Sequence, residues 1–126
     1  MACWAGTMAK INSFNFGFIV VDGKQYIYDV LILPDGTVKE REHSKARLGS
    51  HTIGKAEIEE LAKTKPETII VGIGTSGMST VSQDARLYGL EAKLNLIVLP
   101  SSEAIEKLSQ LVDEGKRVAA LIHITC

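Results

Sequence analysis

The chain has 126 residues, 45% of them hydrophobic, and its 14 basic and 15 acidic side chains leave a net charge of -1 and a pI near 6.3. That length supports one core and is too short for two. The near balance of charge leaves no basic footprint for nucleic acid or an anionic membrane, and no apolar run approaches the roughly 20 residues of a membrane helix.

The opening segment, Met1 to Thr7, lacks the charged start and long apolar core of a secretory signal. Residues 1–10 therefore read as a flexible tail or cloning remnant, and 11–126 as a single α/β domain. The two cysteines, Cys3 and Cys126, sit at the two ends of the chain and form neither a disulfide framework nor a Cys-x-x-Cys motif. This usage fits a reducing, cytoplasmic setting.

Ile11 to Val21 alternates loosely and predicts one strand, with Phe14, Phe16, Phe18 and Val20 on a common face; Asp22-Gly23 then signals a tight turn. Lys24 to Leu33 predicts the return strand. Pro34-Asp35-Gly36 is a second turn, because proline presets its dihedral and glycine accepts positive φ. Thr37 to Glu42 then makes a third, more polar strand, completing an antiparallel meander. From Glu40 to Leu48 the chain is dense in charge without periodicity and reads as an exposed connection, with Arg41 and Arg47 as candidate partner-binding charges. Lys55 to Lys63 carries a short helical stripe of Ala56, Ile58, Leu61 and Ala62, which Pro66 must end.

Ile69-Ile70-Val71 is the continuous apolar run of a strand covered on both faces. It leads into Gly72-x-Gly74-x-x-Gly77 and a helical segment from Ser79 to Tyr88, with Gly89 placed for a C-terminal cap. Asn95 to Leu99 is the next strand. Ser101 follows as a candidate N-cap of a helix whose apolar face is Ala104, Leu108, Leu111 and Val112, stopped by Gly115. Val118 to Ile124 is the last strand. Strand-helix-strand-helix-strand connectivity demands parallel neighbours. The expected fold is thus a three-layer α/β domain: a small, mostly parallel central sheet flanked by helices and joined to the N-terminal antiparallel meander.

The glycine run matches the dinucleotide fingerprint, yet Leu99-Pro100-Ser101 stands where an acidic residue would hold a ribose, and the second mononucleotide half is missing. No cofactor is expected. Loops after the carboxyl ends of parallel strands converge, so Gly74 to Gly77, Ser101 to Glu103 and His123 to Cys126 should be neighbours. Free helix amides beside serine hydroxyls suit a small anion. The candidate ligand-binding residues are therefore Gly72, Gly74, Ser76, Gly77, Ser101, Ser102 and His123, with His51 as a lid, and the alternative for each serine is simple helix capping. A thiol-imidazole pair of His123 and Cys126 is disfavoured because strand positions three apart face opposite sides. His43, His51 and His123 lack metal-ligand spacing. The alternating phenylalanines, with no basic surround, read as core or as a partner-facing strand rather than a nucleic-acid platform. No catalytic residue set emerges.

Several segments in order, Val21-Asp22-Gly23-Lys24, Asp29-Val30, Pro34-Asp35-Gly36, Ser50-His51, Ile70-Val71-Gly72-x-Gly74-x-Ser76-Gly77 and the ending His123-x-Thr125-Cys126, resemble one small-domain family. That family includes uncharacterised archaeal and bacterial proteins, the mammalian adipogenesis-associated protein and the mitochondrial assembly factor three of respiratory NADH dehydrogenase. The resemblance spans about Phe14 to Cys126. It implies the same three-layer α/β fold and, from the assembly-factor relative, a non-enzymatic module for an unidentified protein partner, working as monomer or homodimer. The alternative is a small-molecule or anion binder, conceivably a weak enzyme, at the glycine-turn pocket.

Overall fold

The computed structural model describes residues 9–41 and 52–125. The candidates Arg47, His51 and Cys126 lie outside the described residues. The elements run β1 (Ile11–Asn15), β2 (Phe18–Val21), β3 (Lys24–Tyr26), β4 (Val30–Ile32), β5 (Val38–Glu40), β6 (Thr52–Ile53), α1 (Lys55–Ala62), β7 (Thr68–Ile73), β8 (Thr80–Val81), α2 (Gln83–Glu91), β9 (Asn95–Leu99), α3 (Ser101–Asp113) and β10 (Val118–His123). They make a mixed α/β fold with three sheets, ordered β1-β2-β3, β5-β4-β10-β7-β9 and β6-β8.

Strand β10 is the spine of the five-stranded sheet. It is buried at all six positions, pairing in parallel with β7 (Val118 with Thr68 through His123 with Ile73) and antiparallel with β4 (Ala120 with Ile32, Ile122 with Val30). A strand hydrogen-bonded on both edges and covered on both faces must be apolar nearly throughout, as Val-Ala-Ala-Leu-Ile is. Alternate residues divide the core. Ala120 and Ile122 face β2 and α3 through Ile19, Val21, Ala104 and Leu108. Ala119 and Leu121 face the other way, into Ile58 and Leu61 of α1 and Ala85 of α2.

The N-terminal third differs from expectation. The predicted single strand 11–21 is a hairpin folded at Phe16-Gly17, where Gly17 takes φ +88°. The hairpin reverses the facing of its second arm, so Ile19 and Val21 are buried rather than Phe18 and Val20. The predicted strand 24–33 breaks at Ile27-Tyr28-Asp29: β3 completes the meander, while β4 leaves it for the central sheet and brings β5 along. The meander is therefore contained within residues 11–26. The central sheet is evenly mixed rather than mostly parallel, since β4 and β5 pair antiparallel. Hydrophobic alternation sees faces and not partners, so it could not divide these strands between two sheets.

In the second half, α1, β7, β9, α3 and β10 fall where periodicity puts them. Gly115, at φ +82°, ends α3 through bonds from its own amide to the Val112 carbonyl and from the Lys116 amide to the Leu111 carbonyl, satisfying two of the helix's last carbonyls. Gly89 is not a cap. It lies inside α2, buried, where a Cβ would meet Leu96 of β9 at an ordinary contact distance of 3.5 Å.

Gly72 holds a close approach of α3 to the sheet. A Cβ there would stand 2.8 Å from Ser101 Oγ, 3.1 Å from Ser101 Cα and 3.3 Å from Ala104 Cβ. Because backbone is among the clashing atoms, α3 must shift to admit even a methyl group. Gly72→Ala is expected to lower stability by about 1–3 kcal/mol, read as a lower urea midpoint with an unchanged slope.

Candidate functional site

The carboxyl ends of β7 and β10 and the start of α3 converge on one small cluster. After β7 the chain turns through Gly74 (φ +103°) and Gly77 (φ +66°), closed by the Gly77 amide donating to the Gly74 carbonyl at 3.2 Å. The Gly74 amide donates to Ser101 Oγ at 2.9 Å, and that hydroxyl donates in turn to the His123 carbonyl at 2.6 Å. The Thr75 amide donates to the Thr125 carbonyl at 2.8 Å. The three loops expected to be neighbours are thus joined directly.

The cluster is tied shut rather than left open. The amides of Gly74, Thr75 and Gly77 have protein acceptors, and the Ser101 hydroxyl is engaged both as acceptor and as donor. Ser101 is the first residue of α3, behind Pro100 at the N-cap position, and it is fully buried, so it is a cross-link between strands and helix rather than the expected cap. Nor does the glycine turn feed a helix. Strand β8 intervenes, and α2 begins beyond Ser82, whose hydroxyl accepts from the Ala85 amide at 3.3 Å. The dipole of α2 therefore does not act at the turn. Ser76 and Ser102 are exposed, and Gly77 packs on Pro100.

Beside this cluster runs a buried chain of charge that sequence reasoning did not assemble. Asp29 lies in the break between β3 and β4. One of its carboxylate oxygens accepts from the Ile124 amide at 3.0 Å; the other stands 2.7 Å from His123 Nδ1 and 2.9 Å from Arg41 Nη1. Arg41 reaches on to Glu57 with Nε and Nη2, and to the Thr52 carbonyl at 2.9 Å. Glu57 also accepts from the Gly54 amide at 3.1 Å, fixing the start of α1. His123 Nε2 stands 3.0 Å from Thr125 Oγ1. Arg41 is 6% exposed, Glu57 3% and His123 2%.

Arg41 is accordingly a correction. It was expected in a solvated loop as a partner-binding charge, yet it is a buried cross-link among Asp29, Thr52 and Glu57. A planar guanidinium presents donors along a fork that matches two carboxylates at once. Asp29 and Glu57 went unrecognised because each is a single acid within an otherwise ordinary pattern. The available signal was an acid in the apolar stretch Tyr26 to Leu33, and another on the apolar stripe of α1 beside Ile58.

Burial by itself would raise the Asp29 carboxyl. Hydrogen bonds from His123 and the Ile124 amide, the charge of His123 and the bond from Arg41 outweigh it and hold the group below its ordinary 3.8. Burial would likewise lower the Arg41 guanidinium, while Glu57 and then Asp29 raise it. Because the folded value of Asp29 is depressed, its contribution to stability is complete above the ordinary value and is lost as pH falls below it. The stability gap between wild type and Asp29→Asn should therefore be wide near about pH 6 and narrow toward about pH 3, read from urea midpoints at both. Arg41→Met, which removes the guanidinium shared by two carboxylates, should cost about 3–5 kcal/mol, and Arg41→Lys should recover only part of that loss.

Residues 11–123 match the model of a protein family of unknown function, DUF498/DUF598. Among solved structures, the protein "MT938" is 32% identical with a TM-score of 0.81, over 94% of this chain and 99% of its own. The conserved hypothetical protein PH1505 from Pyrococcus horikoshii OT3 is likewise 32% identical at a TM-score of 0.81, over 93% and 99%. A Mth938-like domain from Bordetella pertussis shares the fold at 14% identity and a TM-score of 0.63, over 92% and 85%. The family expected from the ordered motifs is the one found, and the chain belongs to the DUF498/DUF598 family.

Proposed function

We propose that this domain is a protein-interaction module whose docking surface is the rim around the carboxyl end of β10. The observation that carries this reading is the placement of exposed apolar side chains. Phe16 is 63% exposed, Ile27 71%, Tyr28 37% and Met78 69%. All four stand on loops anchored to residues 123–125. Phe16 precedes Gly17, whose amide donates to the Ile124 carbonyl at 2.7 Å. Ile27 and Tyr28 precede Asp29, which binds His123 and Ile124. Met78 follows Thr75, bonded to Thr125.

Single exposed apolar residues are ordinary on a protein surface, but several on rigidly anchored neighbouring loops make a candidate contact surface. Aromatic side chains and methionine are enriched at such surfaces. The resemblance to an assembly factor supports the same reading. A pocket for a small anion at the glycine turn draws less support, because the amides of Gly74, Thr75 and Gly77 and the Ser101 hydroxyl are already engaged within the protein.

The test is photocrosslinking in the native cell, with a benzophenone side chain at position 16, 78 or 106, the last on the exposed outer side of α3. Crosslinks to a common partner from 16 and 78 but not 106 are expected. The Phe16→Asp/Met78→Asp variant should bind that partner at least about tenfold more weakly, with unchanged thermal stability. Equal crosslinking from all three positions, or unaltered affinity in the double variant, would refute the rim as the docking surface.

A further inference from the structure

We propose that Thr125 is a nucleophilic hydroxyl, with His123 as its general base and Asp29 as the group that orients the base, acting on the acyl carbon of a carboxylic ester. The carboxylate fixes the direction of the first hydrogen bond: ionised Asp29 can only accept, so the imidazole donates from Nδ1 over 2.7 Å. In the neutral ring Nε2 is then the basic nitrogen, and the Thr125 hydroxyl, 3.0 Å away, is placed to donate to it. Hydroxyl, imidazole and orienting carboxylate in this order are what an activated alcohol nucleophile requires, whatever the chain order of the residues.

Two further features support the assignment. The hydroxyl is held in place on both sides: the Ile124 amide is fixed by Asp29, the Ile124 carbonyl by the Gly17 amide, and the Thr125 carbonyl by the Thr75 amide. Thr125 is also half-buried, two residues past the end of β10, whose own residues are all buried.

In the step itself, Thr125 Oγ1 bonds to the acyl carbon and its proton passes to His123 Nε2. The bond from that carbon to the leaving oxygen breaks, and the departing alcohol takes the proton from His123. Water hydrolyses the resulting acyl-threonine by the same proton path in reverse. The exposed Phe16 and Met78 on adjoining loops suit an apolar acyl group. The inference shares Phe16 and Met78 with the docking reading but is tested at Thr125 and His123, so either can fail without the other.

The decisive experiment uses the full chain and an alkyl fluorophosphonate, from which Thr125 would displace fluoride to form a phosphonyl ester. The expected result is one adduct by intact mass, mapped to Thr125, retained in Thr125→Ser and absent from Thr125→Ala. In folded His123→Gln, labelling should be at least about 100-fold slower. Thr125→Ala and Thr125→Ser each remove only part of one half-buried side chain, so this pair decides the matter even where a His123 variant does not fold. An unlabelled, folded wild type would overturn the proposal. So would an adduct on another residue such as Cys126, an adduct that persists in Thr125→Ala, or unchanged labelling in His123→Gln.

Discussion

The structure depends on one carboxylate. Asp29 fastens the far end of β10, the strand on which both halves of the core are built, by accepting from the Ile124 backbone and meeting the His123 ring. It does so from the break at which the chain leaves the meander and enters the central sheet. A carboxylate at that point would be costly to bury alone, and Arg41 offsets the cost by supplying the opposite charge. Arg41 in turn brings in Glu57, and through it the start of α1. The break in the strand, the end of the sheet and the position of a helix are therefore linked through one buried chain of charge.

The glycine turn joins the same end of β10 from the opposite side. Gly72 lets α3 approach until Ser101 can bridge the Gly74 amide and the His123 carbonyl. The turn's amides are thereby spent on structure. In nucleotide-binding folds a comparable glycine run leaves its amides pointing at a ligand, and the contrast shows why the same spacing carries different meanings in different surroundings. Here the Gly74 amide donates instead to the Ser101 hydroxyl.

This internal satisfaction has a consequence at the surface. With the amides of Gly17, Thr75 and Ile124 and the carbonyls of Ile124 and Thr125 paired, the loops around the end of β10 are tied to one another. Apolar groups on preorganised loops lose little conformational freedom when a partner covers them, which favours association. The same anchoring sets the Thr125 hydroxyl against His123 in a single geometry.

The sequence by itself determined most of the second half of the fold, with β8 and the late start of α2 as the exceptions. Its strands and helices are strongly periodic, bounded by Pro66, Pro100 and Gly115, and too apolar to lie anywhere but in a core. It also determined that the loops after β7, β9 and β10 converge, because parallel connectivity leaves no other arrangement. The tertiary structure alone decided the first third. Alternation cannot tell a long strand from a hairpin when a single glycine makes the turn, and it cannot say which sheet a strand joins. It alone decided, too, that Arg41 is buried and Asp29 central. Asp29, Arg41, Glu57 and His123 are separated by as much as 94 residues between partners, and each looks unremarkable beside its chain neighbours. A buried ion pair is specified by the partner across space, and that partner has no signature in local periodicity.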